Sequence, residues 1–77
     1  MNKTLENFAR KQLKENLFLL EFYNPKSVFV FKRMYSHNNL DASINAIVDT
    51  MLPDNLDWAM TQTENTLKEY NTAYEKN

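Results

Sequence analysis

The chain has 77 residues, nine Lys and Arg against ten Asp and Glu, one His, no Cys and no Gly, and 43% of its positions are apolar. That composition fits one globular domain over 1–77, small enough to bury only about 60% of the surface its unfolded form exposes. Without glycine the P-loop, the dinucleotide fingerprint, the nucleophile elbow and the EF-hand loop are excluded, and without Cys so are disulfides, zinc fingers and thiol catalysis.

The absence of glycine, with only two prolines, favours helices joined by short Asn or Pro turns over sheets. Over residues 3–23, at ~100° per residue, Leu5, Phe8, Ala9, Leu13, Leu17, Leu19, Leu20 and Tyr23 fall on one side and Lys3, Arg10, Lys11 and Lys14 on the other. This spacing predicts an amphipathic first helix. Phe18 and Phe22 lie outside the main apolar arc and point to a second packing surface near its end.

Asn24-Pro25 reads as a break, with Pro25 suited to a first helical position. Ser27–Tyr35 is ambiguous: a short helix burying Val28, Phe31, Met34 and Tyr35, or a strand apolar on both faces through Val28–Phe31. The helix is preferred because a strand must satisfy its backbone groups and no partner strand is visible; a strand at 27–33 would give an α+β fold paired across a dimer. From Leu40, the positions Leu40, Ile44, Ile47, Val48 and Met51 trace a third helix to Leu52, capped by Asn38 or Asn39. Pro53 stops it. A fourth helix is predicted from Asp54 to Tyr74, burying Leu56, Ala59, Met60, Thr63, Leu67, Tyr70 and Tyr74, with Asp54 and Asp57 in a capping arrangement. The expected fold is all-α, an irregular bundle of three long helices plus a short, very apolar second element.

Charge divides unevenly. Residues 1–33 carry seven cations against three anions, residues 34–77 two against seven, and no Lys or Arg occurs between Met34 and Leu67. An acidic segment of this kind can steer a basic partner, although it can equally be a solvated face or be neutralised by the basic half. Trp58 falls opposite the buried stripe of its own helix, either as an anchor for a partner or as a staple folded onto Leu52 or Pro53. Asp41, Asp49, Asp54, Asp57 and Trp58 are therefore the candidate partner-binding residues.

The alternative is a dimeric nucleic-acid binder using Lys3, Arg10, Lys14, Lys32 and Arg33. A helix-turn-helix is disfavoured because the would-be recognition helix presents Asp41, Asn45 and Asp49 with no cation, and a ribbon-helix-helix order lacks its turn glycine. His37 with Asp41 makes too few ligands for zinc and reads as a solvated loop residue; Met34, Met51 and Met60 read as core filler. No metal, cofactor or catalytic residue is expected. No apolar run approaches the ~20 residues of a bilayer span and the charged start, Met1–Arg10, is unlike a signal peptide, so a cytoplasmic protein without a membrane partner is expected. The amphipathic first helix is better used in the core than on lipid. The run Val28–Phe31 with Phe18 and Phe22 exceeds what so small a monomer can cover, which leaves a homodimer open. The function expected from these residues is that of a small non-enzymatic regulator or inhibitor of a larger partner with a basic surface, of the kind phage or mobile-element genes direct at host nucleic-acid enzymes.

Overall fold

The computed structural model describes residues 2–37 and 39–75, with side chains through Tyr70. It is all-α. Four helices follow one another: α1 (Lys3–Tyr23), α2 (Pro25–Tyr35), α3 (Ile44–Thr50) and α4 (Pro53–Glu75).

Local chemistry sets most of the boundaries. Asn2 caps α1, its side-chain oxygen accepting from the Leu5 N–H at 2.8 Å. A single residue, Asn24, joins α1 to α2: its backbone N–H donates to Leu20 at 2.6 Å, its own extended φ of −151° ends the first helix, and Pro25 opens the second. So tight a turn forces α2 to double back along α1. Lys32 and Arg33 occupy the last turn of α2, where cations complement the helix dipole. His37 follows with φ 54°. This is the left-handed conformation that glycine usually supplies after a helix, and the glycine-free chain takes it at a β-carbon's cost.

The third helix is shorter than its apolar spacing implies. Leu40 matches the period but is 40% exposed, and the chain there is a turn in which the Asp41 N–H donates to the Asn39 side chain. The cap is Ser43, whose hydroxyl accepts from Ala46 at 3.1 Å, in place of Asn39; the other candidate, Asn38, is outside the described residues. Met51 and Leu52 interrupt the helix because a residue before proline is pushed out of the α region, and α4 restarts at Pro53.

α1 is the hub. Leu13, Leu17, Leu20, Val48 and Leu56 are fully buried around it, joined by Ala9, Val28, Phe31, Ile44, Ile47, Met51, Ala59 and Leu67. Each large aliphatic side chain among them contributes about 1.5–3 kcal/mol by burial. The α1–α4 register is fixed at two levels. Asn16, 3% exposed, donates to the Thr63 hydroxyl at 3.1 Å and accepts from Gln12 at 3.1 Å, while Thr63 donates to its own helix at Ala59. Seven residues further along both helices, Tyr23 stacks on Tyr70 with ring centroids 5.2 Å apart. Equal steps in the same sense make α1 and α4 parallel, with α2 antiparallel to both. The body is flat, 38 × 29 × 15 Å.

The apolar arc of α1 is narrower than predicted. Ala9, Leu13, Asn16, Leu17 and Leu20 face inward, whereas Leu5, Phe8, Leu19 and Tyr23 stay about half exposed and Phe22 is 82% exposed. In α2, Val28 and Phe31 are buried and Tyr35 partly so, but Met34 lies on the surface instead of in the core. Among the described residues no helix is long and apolar enough to cross a membrane.

Candidate functional site

Because α2 and α4 each pack on α1 and scarcely on one another, a groove opens between them. Leu20 of α1 forms its floor. Val30, Phe31 and Met34 line it from α2, and Trp58 and Thr63 from α4, around a volume of about 380 Å³. That volume falls within the range of pockets that seat ligands or anchor side chains. Burial pushes the Tyr35 phenol, another lining group, above its ordinary value.

Trp58 is half exposed and stands on the groove wall. Leu52 at the corner remains 68% exposed and is not sealed by the indole, while Pro53 is half-buried. The two ends of the groove differ in charge. Lys26 is its charged lining residue and lies at the start of α2; Asp54 does not line it but is exposed one turn before Trp58 at the start of α4, beyond the opposite end because α2 and α4 run antiparallel. Asp57, a further ~100° around α4 from Trp58, faces away from the groove.

The five candidate residues therefore do not make one patch. Asp41 is exposed in the turn before α3. Asp49 points to α1, where its carboxylate meets Lys14 Nζ at 2.7 Å, so its charge is matched within the fold. Asp54 and Trp58 share a side of α4, and Asp57 is exposed beside them.

The basic stripe is likewise divided. Arg10 is held by Glu6 at 2.5 Å and donates to the Val48 carbonyl, supplying the C-terminal end of α3 with the cation its own last turn lacks. Lys14 is spent on Asp49. Lys3 remains exposed on α1, and Arg33 exposed and Lys32 half-exposed on α2. Periodicity alone did not single out Asn16 or the structural use of Arg10. The available signal for Asn16 was a polar residue within the arc of Ala9, Leu13 and Leu20, opposite a Thr within the stripe of α4. His37 is exposed, and among the described residues no three His, Cys, Asp or Glu side chains come together as metal ligands.

The structure thus defines a class, a flat helical bundle with an open apolar groove beside a tryptophan. No protein-family model, no curated protein and no solved structure matches the chain.

Proposed function

We propose that this chain is a non-enzymatic interaction module that regulates a larger protein by seating one of its amphipathic helices in the groove between α2 and α4. The observation that carries this reading is Trp58, a half-exposed indole on the wall of a groove whose floor and facing wall are aliphatic and aromatic. Large aromatics in such positions supply most of the energy where helices enter grooves. The charges at the two ends specify the occupant further: a Lys or Arg of the partner meets Asp54, with Asp57 adding to the local field, and an acid meets Lys26. This keeps a basic element in the partner while assigning the apolar groove, not an acidic ledge, as the seat of affinity.

A photoreactive side chain placed at Val30 tests it in the native host. One discrete adduct is expected, lost on Trp58→Ala and weakened by Asp54→Lys, and absent when the photoreactive group is placed at Asn65. A peptide spanning the cross-linked segment should then shift the emission of Trp58, the single Trp of the chain. Equal labelling from Val30 and Asn65, or an adduct indifferent to Trp58→Ala, overturns the proposal.

A further inference from the structure

The outward side of α1 presents a second apolar surface, away from the groove. Leu5, Phe8, Gln12, Glu15, Leu19 and Phe22 recur at alternating steps of three and four, the spacing of a coiled-coil seam. At the usual rise per residue the helix that bears them is about 30 Å long. Leu5, Phe8, Leu19 and Phe22 are 56%, 62%, 51% and 82% exposed, and among the described residues no other helix covers them. The seam reads alike from both ends: an apolar pair, a polar pair, an apolar pair. Turned end for end about the point between Leu13 and Lys14, it places Leu5 on Phe22, Phe8 on Leu19 and Gln12 on Glu15.

We infer that a second copy of this chain covers this face, α1 packing antiparallel on α1 about a two-fold axis. Self-complementarity is what such an isologous contact requires. The charges agree with it. Lys11 and Glu15 are both exposed and neither forms an ion pair among the described residues. The two-fold brings Lys11 of each copy towards Glu15 of the other, twice per dimer. The area agrees as well. From their fractional exposures, Leu5, Phe8, Leu19 and Phe22 together offer on the order of 500 Å², well over half of the ~800 Å² that each partner contributes to a stable interface. A dimer built this way leaves the groove beside Trp58 open on both copies.

Sedimentation equilibrium at micromolar protein decides the question. The wild type is expected at twice the 9.2 kDa chain mass. Phe22→Glu, at a position already in water, should give a monomer with unchanged helicity, and Lys11→Glu should weaken the dimer at least tenfold. Combining Lys11→Glu with Glu15→Lys should restore it, with the helicity of the single and double variants unchanged by circular dichroism so that an i,i+4 effect within α1 is separated from pairing across the two-fold. Val30→Glu, in the groove, should leave the dimer intact. A monomeric wild type, a dimer that survives Phe22→Glu, a charge swap that fails to restore association, or a dimer lost on Val30→Glu overturns the inference.

Discussion

Along α1, Leu13, Leu17 and Leu20 are sealed beneath the other helices, whereas Phe8, Leu19 and Phe22 on the opposite side of the same helix keep half or more of their surface in water. Both sides are apolar enough to be read as core. They differ in the polar groups among them. The inward side includes Asn16, whose amide is satisfied by Thr63 and Gln12, so that one register of α1 on α4 is preferred over its neighbours. The outward side has Lys11 and Glu15 near its centre, exposed and without an ion pair among the described residues, where only a partner with matching charges can complete it. Apolar area drives burial, and the embedded polar residues select the partner.

That comparison breaks most sharply at its aliphatic positions. Leu17→Ala should cost about 2–5 kcal/mol through lost burial and the cavity left behind, enough to unfold much of a small domain, while Leu19→Ala in dilute monomer should change stability by less than about 0.5 kcal/mol. Urea midpoints of the two variants check the contrast; similar shifts would mean the two sides are equally packed. The polar lock comes next. Thr63→Val strands the buried Asn16 amide and should cost about 1–3 kcal/mol, part of which Asn16→Leu in the same chain should recover. A cycle of single and double variants measures that coupling, and simple additivity would remove Asn16 as a register device. Least affected is the edge: Lys14→Ala breaks a partly exposed pair with Asp49 and should cost under about 1 kcal/mol, an effect that disappears in the melting temperature at high salt.

How far the fold could be read from residues follows from the same physics. α1 and the α1–α2 turn were legible because Asn24-Pro25 acts locally, on φ and on the missing N–H, whatever surrounds it. The choice of helix over strand at 27–35 rested on backbone satisfaction, a rule that also needs no tertiary knowledge. The start of α3 was not legible: Leu40 has helical spacing, but the Asx turn at Asn39 and the cap at Ser43 compete with it over only a few residues. Among site residues, Trp58 stood out through its place on the wheel. Its groove did not, because a groove is the space left where α2 and α4 fail to meet, and no spacing within one helix records the distance to another. The pairing of Asp49 with Lys14, 35 positions apart, was hidden for the same reason.

The parallel pairing of α1 with α4 also bears on how the chain comes off the ribosome. The two helices that share the largest contact are the first and fourth in chain order, so α1 is made before its main mate, its outward phenylalanines uncovered and its inward leucines covered only by α2 and α3 until α4 follows. Until then the nascent chain offers apolar surface to whatever is near: the α1–α2 hairpin closes locally, but the α1–α4 contact waits on a long-range closure. Chains stalled before α4 are therefore expected to aggregate more readily than the full chain.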